Sequence, residues 1–300
     1  MPRRLVTFDW AMKRLLRSKA NFDILEGFLS ELLHDDISIL EILESESTKE
    51  RALDKANRVD LKVRDGRGNL IIIEVQYERQ YDYLQRILFG TSRVITDHLS
   101  EGDPYSKVPK VISVSILFFD LGQGKDYVYR GTTSFRGIHH DDELELSSQQ
   151  AELYGRKRVF DVFPEYYLIK VNQFDDVARD TLDEWIYFLK HEEVKDGFKA
   201  RGLEQAKERL DVAKLPDAER RAYDEYVEDL RYQASLAESS FGSGRLQGRK
   251  EGLEKGRRDR SIEIARSLLD RLDDDAIAEC TGLDVVDVTR LRAGRGDPLG

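Results

Sequence analysis

Apolar residues recur along the chain with two different periods. A period of about 3.6 residues predicts a helix at 22–33, where one face carries Phe22, Leu25, Leu29, Leu32 and Leu33. Residues 8–17, 81–99 and 182–189 have the same helical spacing. The run VISVSILFF at 111–119 is instead almost unbroken, which indicates a strand that is buried on both faces.

A hairpin is predicted at 57–78, which reads NRVDLKVRDGRGNLIIIEVQYE. Two apolar runs, 58–64 and 70–77, flank a turn whose Gly66, Gly68 and Asn69 tolerate positive φ. Shorter strands are predicted at 38–44, 127–129 and 166–171. The intervening His139-His140-Asp141-Asp142 is predicted to be a polar loop, because adjacent histidines on a strand would point in opposite directions.

The order of these elements predicts an α/β core with a mixed central sheet, ending near residue 192. After that residue the strand-forming residues become rare, and Glu, Lys, Arg, Ala and Leu dominate. We therefore predict three parts. They are a core at 1–192, a charged helical extension at 193–242, and a glycine-spaced helix with a small helical assembly module at 243–300.

The last part has a glycine at every fourth position: Gly244, Gly248, Gly252 and Gly256. Glycine in a helix costs about 1 kcal/mol relative to alanine, so the stripe calls for a reason. Close approach of a second helix is one reason, and a flexible basic linker is the alternative. We favour the first, which predicts a homo-oligomer formed through the C-terminal helices.

The final helical segment has the spacing of a helix-turn-helix at Ala278, Gly282 and Val288. Asp284 and Asp287 would however face phosphates there, so a packing module is favoured over DNA reading. This segment is therefore assigned to assembly.

Composition and charge narrow the classes of function. The 300 residues carry a net charge of −10, which argues against coating nucleic acid by bulk attraction but permits a local basic patch or a cation site. The single Cys280 excludes an intramolecular disulfide framework. No apolar stretch approaches the roughly 20 residues that span a bilayer. The expectation is a soluble cytoplasmic protein without a membrane segment.

Carboxylates inside the predicted hairpin are the main candidates for chemistry. Side chains alternate along a strand, so Glu74 and Gln76 share one face, and the turn brings Asp60 close to Glu74. Two ionised carboxylates repel each other unless a cation such as Mg²⁺ lies between them. The Val75 carbonyl is a natural further ligand. Solvated surface carboxylates are the alternative, and the spacing alone leaves both interpretations open.

Several short motifs occur in an order that resembles a known family. They are Phe8-Asp9 with Met12-Lys13, Arg58-Val59-Asp60, Ile73-Glu74-Val75-Gln76, Gln85-Arg86, Phe163-Pro164-Glu165-Tyr166 and Glu184-Trp185-Ile186-Tyr187-Phe188-Leu189. Together these resemble the Rpn group, the recombination-promoting nucleases and transposases of the PD-(D/E)XK superfamily. The resemblance covers most of residues 7–192.

The resemblance implies a restriction-endonuclease-like fold and hydrolysis of a DNA phosphodiester by metal-activated water. It implies that Asp60 and Glu74 hold Mg²⁺ or Mn²⁺, and that double-stranded DNA is the substrate. Gln76 replaces the lysine of the superfamily pattern, so the missing charge has to come from elsewhere. Lys62 on the same strand face is the first hypothesis and Lys13 the second.

The resemblance also implies roles in recombination or in defence against phage. The alternative is an inactive nuclease fold that binds DNA or a protein partner and serves as a regulatory module. A transposase with strand-transfer activity lacks a visible second catalytic module.

Arginines on the predicted helix 81–99 are candidates for DNA contacts. Arg86 and Arg93 are seven residues apart and share a helix face, with Tyr83 on the same side. Lys13 adds positive charge near the chain start. For Arg86 the alternative is an ion pair with a core carboxylate. For Tyr83 it is the apolar edge of the core.

Overall fold

The computed structural model describes residues 5–43 and 60–294. The chain divides into two compact units, Met1–Asp224 and Glu225–Gly300. The domain boundaries predicted at residues 192 and 242 stay predictions. In the described residues, no helix is both long enough and apolar enough to cross a bilayer.

Two helices open the first unit. Helix α1 is Phe8–Arg14 and α2 is Phe22–Leu33. The Thr7 hydroxyl caps α1 by accepting from the Trp10 N–H at 3.4 Å. The helix predicted at 8–17 ends three residues early, because the N–H groups of Leu15 and Leu16 both bond to the Ala11 carbonyl and close the last turn.

One six-stranded sheet forms the centre of this unit. Its strands are β1 Ile39–Leu43, β2 Leu61–Asp65, β3 Leu70–Gln76, β4 Val111–Leu117, β5 Val128–Gly131 and β6 Glu165–Lys170. The strand order is β1-β2-β3-β4-β6-β5. Strands β3, β4 and β6 are parallel, whereas β1 and β2 on one side and β5 on the other are antiparallel to their neighbours. The predicted mixed sheet is confirmed.

The hairpin between β2 and β3 forms as predicted. Gly68 has φ 80°, and an Asp65 carboxylate oxygen accepts from the N–H groups of Arg67 at 2.9 Å and Asn69 at 2.8 Å. The first strand of the hairpin begins at Leu61, and the predicted residues 58–59 lie outside the described residues. Leu61 lies opposite Ile73, which fixes the register of the hairpin.

Helices cover the sheet. Helix α3, Tyr83–Asp97, packs Val94 against Leu70, Ile72 and Val111. Helix α5, Thr181–His191, contributes to an aromatic cluster with α1 and α2 that comprises Phe8, Phe28, Trp185 and Phe188. Every residue of β4 is buried, as expected of a central strand with helices on both faces.

The connection between β5 and β6 contains a helix that the sequence pattern did not predict. Helix α4, Ser148–Tyr154, begins with a capping box formed by Ser147 and Gln150. The preceding segment is a polar turn, as predicted, in which Asp141 has φ 58° and the Gly137 N–H bonds to the Asp142 carbonyl at 2.8 Å.

From Leu203 onward the described chain is mainly helical, as predicted, whereas residues 193–202, also predicted to be helical, are not. It contains α6 Leu203–Arg209, α7 Asp217–Leu268, α8 Asp274–Thr281 and α9 Val285–Arg292. In the second unit, Ala265, Ile277 and Val288 form a small apolar core. The glycine stripe lies within α7, and a Cβ at each of its four positions would meet open space. Self-association through this stripe stays a prediction.

Candidate active site

Asp60 lies directly before β2, at the point where the hairpin ladder ends. Its Oδ2 accepts from the Val75 N–H at 2.7 Å. This side chain therefore bonds to β3 just beyond the last backbone pair of β2 and β3, Leu61 with Ile73. Since Leu61 is opposite Ile73, Asp60 lies opposite Glu74. The structure therefore places the two carboxylates side by side on adjacent strands.

Glu74 and Gln76 occupy the same face of β3. Both are half-buried, whereas Val75 between them is buried, which follows from the period of two. Helix α3 covers this face, and Ile87 and Gly90 line a small pocket beside Glu74. The Gln76 amide donates to the Glu78 carbonyl at 3.3 Å and so stays close to the strand end.

Burial raises the pKa of both carboxyl groups. For Glu74 the main cause is loss of solvation, and the negative charge of Asp60 adds to it, while Arg86 acts in the opposite direction. Burial also raises the pKa of Asp60, although the Val75 N–H and Lys13 oppose the rise. The two acids therefore form a partly desolvated site of concentrated negative charge.

An arginine and a tyrosine from α3 contact Glu74. Arg86 Nη2 forms a short ion pair with Glu74 Oε1, and its Nη1 donates to Gln80 Oε1 at 2.9 Å. The Tyr83 hydroxyl lies 3.5 Å from Glu74 Oε2. Arg86 thus makes the ion pair with a core carboxylate that the sequence left open as its alternative role.

Lys13 from α1 lies beside Asp60. Its Nζ is 3.7 Å from Asp60 Oδ1 and 2.7 Å from Asp9 Oδ1. Burial lowers the pKa of Lys13, but the two carboxylates outweigh this and raise it overall. The sequence analysis named Asp9 and Lys13 in one motif but gave Asp9 no role in the site, although its spacing of four residues from Lys13 on one helix was a usable signal.

Other predicted site residues take different positions. Lys62 is half-buried on β2 opposite Ile72. Its side chain therefore lies on the same face of the sheet as Glu74, two residues further along the chain than Asp60. Arg93 is half-exposed on α3, 3.8 Å from Asp97. Tyr83 is fully buried and packs edge-on against Phe119, so its ring is not presented to a ligand at the surface.

The donor set fits a hard divalent cation. Within residues 5–43 and 60–294 no group of three or more His, Cys, Asp or Glu side chains is arranged to hold a metal ion, so a cation bound here would have the two carboxylates of Asp60 and Glu74. The N–H and C=O of one strand residue point to the same side, which directs the Val75 carbonyl toward Asp60. Two carboxylates and a carbonyl suit Mg²⁺, which keeps several waters.

A comparison with protein families identifies the family of most of the chain. The model of the PD-(D/E)XK nuclease family transposases matches residues 6–239. The chain belongs to this family. No curated protein and no solved structure matches it.

Membership in the PD-(D/E)XK nuclease family transposases confirms the predicted family and indicates a nuclease or transposase-like function. The matched residues include α1, the hairpin and α3, and therefore Lys13, Asp60, Glu74 and Arg86. Proteins of this family generally use divalent cations, and the family implies a DNA substrate.

Proposed function

We propose that the protein is a metal-dependent DNA endonuclease that hydrolyses phosphodiester bonds in double-stranded DNA. The observation that carries the proposal is the hydrogen bond from the Val75 N–H to Asp60, because it holds the Asp60 carboxylate next to Glu74 at the ladder end. Family membership supports it independently.

Asp60, Glu74 and the Val75 carbonyl would hold Mg²⁺ or Mn²⁺. When bound, such a cation lowers the pKa of a coordinated water and offsets charge on the phosphoryl oxygens. In the overall reaction, the water oxygen forms a bond to phosphorus, the bond to the leaving sugar oxygen breaks, and that oxygen takes up a proton. The remaining tasks fall to side chains of this chain.

Positive charge near the scissile phosphate is one of these tasks. Gln76 is neutral and can orient water through its amide, but it cannot neutralise the transition state. Lys13 is held at Asp60, and Arg86 is held at Glu74. Both cations therefore lie beside the proposed metal ligands, whereas the role of Lys62 stays a prediction.

A basic surface next to Asp60 supports an anionic substrate. At the end of α1, Lys13, Arg14 and Arg17 are exposed, and Arg17 Nη2 donates to the Asp60 backbone carbonyl at 3.0 Å. On the side of α3, Arg93 is half-exposed. We propose that the DNA backbone contacts these residues, since phosphate contacts fix the position of a duplex without reading its sequence.

The decisive experiment is cleavage of a supercoiled plasmid with Mg²⁺, with Mn²⁺ and with EDTA. Asp60→Asn and Glu74→Gln preserve side-chain volume and are expected to abolish cleavage. Glu41→Gln, an exposed acid on β1, is the matched control and is expected to cleave normally. Cleavage that persists in both site variants would show that another protein or another site is responsible.

A second function is supported by the ion pair between Arg86 and Glu74. An arginine that neutralises a proposed ligand competes with a cation for it. The protein would then be an inactive nuclease fold that binds DNA. Absence of cleavage with either metal, combined with retained DNA binding in a mobility-shift assay, would favour this function.

A further inference from the structure

A second polar cleft lies at the opposite end of the sheet from Glu74. It opens where the parallel strands begin, and Asn69, Lys110, Ile112 and Glu165 line it at that end. Its volume is about 580 Å³, within the range of small-ligand sites. Glu74 lies near the other end of β3, so the two sites are separate.

Buried charged residues form the floor of this cleft. Lys110 Nζ donates to the carbonyls of Phe160 at 2.9 Å and Phe163 at 2.8 Å and lies 3.3 Å from Glu165 Oε2. Arg130 Nε and the Tyr167 hydroxyl donate to Glu165 Oε1 at 2.6 Å and 2.8 Å. The side chains of Lys110 and Glu165 are both less than a tenth exposed. A fully satisfied network of this kind is rigid.

Each acidic residue of the cleft is already bonded. Glu165 forms an ion pair with Arg130 in the floor, and Asp35 forms one with Arg67. Asp65 accepts from the backbone of the hairpin turn. Asp161 accepts from the backbone N–H groups of Lys157 at 3.2 Å and Arg158 at 3.0 Å. The acids therefore serve the fold and leave positive charge uncompensated.

That positive charge comes from two neighbouring residues at the rim, Arg156 and Lys157, whereas Arg158 Nη2 lies 3.9 Å from Asp161 Oδ1. In the part of the chain that the structure describes, neither Arg156 nor Lys157 forms an ion pair with an acidic side chain. Arg156 is half-buried, and its charge acts on Lys110 in the direction that lowers the pKa of that lysine. The Arg158 guanidinium lies 3.9 Å from the centre of the Phe160 ring.

We infer that this cleft binds a phosphate-bearing ligand. Arg156 and Lys157, which have no acidic partner among the described residues, line the cleft above a rigid floor that carries Lys110 and Arg130. An oxyanion accepting from Arg156 and Lys157 would offset their charge, including the repulsion between Arg156 and Lys110. The phosphate belongs either to a nucleotide or to the backbone of a nucleic acid. This inference is independent of the proposed nuclease reaction, because neither Asp60 nor Glu74 lines the cleft.

Isothermal titration calorimetry in EDTA tests the inference with tripolyphosphate, ATP and a short DNA duplex as separate probes. Saturable binding of at least one probe is expected. The double variant Arg156→Gln/Lys157→Gln should weaken it at least about tenfold, since a hydrogen bond to a charged group contributes that much or more. Arg156→Lys should keep most of the affinity.

Lys125→Gln is the matched control, because it removes an exposed positive charge outside the cleft. It should bind as the wild type does, and all variants should have the wild-type thermal unfolding midpoint. Preference for ATP would identify a nucleotide, and preference for the duplex a nucleic-acid backbone. Lack of binding by every probe, or equal binding by the double variant, would overturn the inference.

Discussion

The ion pair between Arg86 and Glu74 makes a prediction about stability that can be measured without any substrate. The two side chains are about one fifth and one eighth exposed, so solvent screens their interaction only weakly. Arg86→Met removes the guanidinium but keeps an apolar stem, and Glu74→Gln removes the charge but keeps the volume. Both variants and their combination form a double-mutant cycle.

The expected coupling follows from the contacts. One charge-assisted hydrogen bond joins the pair, and such bonds contribute about 1.5–3 kcal/mol to the free energy of unfolding. The hydrogen bond from Arg86 to Gln80 does not contribute to the coupling energy, because Arg86→Met removes it whether residue 74 is Glu or Gln. The cycle should therefore give a coupling of about 1.5–3 kcal/mol.

The assay is urea denaturation at neutral pH in EDTA, followed by circular dichroism. Arg93 and Asp97 provide an internal control, since this pair is half-exposed, 3.8 Å apart and expected to have a coupling near zero. Because the pKa of Glu74 is raised, its coupling to Arg86 should also disappear at a higher pH than for an ordinary glutamate. A coupling no larger than that of the control pair would refute this reasoning.

Three further predictions concern separate features of the chain. Burial raises the pKa of Asp60, so its ionisation costs stability as pH rises through the folded pKa. Asp60→Asn should therefore increase the free energy of unfolding at pH 7 in EDTA, but not at a pH well below the ordinary pKa of aspartate. Equal effects at both pH values would contradict this. Gly27→Ala should destabilise by about 1–3 kcal/mol, because its Cβ would lie 2.2 Å from the Arg201 carbonyl oxygen; an unchanged urea midpoint would exclude that close contact. Gly248→Ala with Gly252→Ala should stabilise the helix by about 0.5–1 kcal/mol per site and should disrupt any oligomer seen by analytical ultracentrifugation. An unchanged oligomer would show that the glycine stripe is not needed for assembly.

The sequence was sufficient for the hairpin because its information is local. The period of two in IIIEVQ and the glycines of the turn determine which side chains share a face. From these, the neighbourhood of Asp60 and Glu74 follows with no knowledge of the helices. The buried strand predicted at 111–119 was similarly evident from its continuous apolar run, and it is observed at Val111–Leu117.

The cations around the site depend on how helices pack on the sheet, and the sequence does not contain that information in a local form. Lys13 reaches Asp60 from α1, and Arg86 reaches Glu74 from α3. Alternation along β2 indicated Lys62 instead, because a period predicts contacts within one element or between paired strands but not contacts between a helix and the sheet. The basic cleft was missed for the same reason, since its rim and floor come from segments far apart in the chain.

The hydrogen bond between Asp60 and Val75 ties the chemistry of the hairpin to the length of its turn. A deletion or insertion of one residue between Asp65 and Asn69 would shift β2 against β3 and rotate Asp60 to the reverse side of the sheet. The turn is remote from Asp60 and Glu74, yet the number of its residues constrains the site as strictly as the identity of those two acids does. Length variation among natural versions of this protein should accordingly accumulate in the other connections and spare this one.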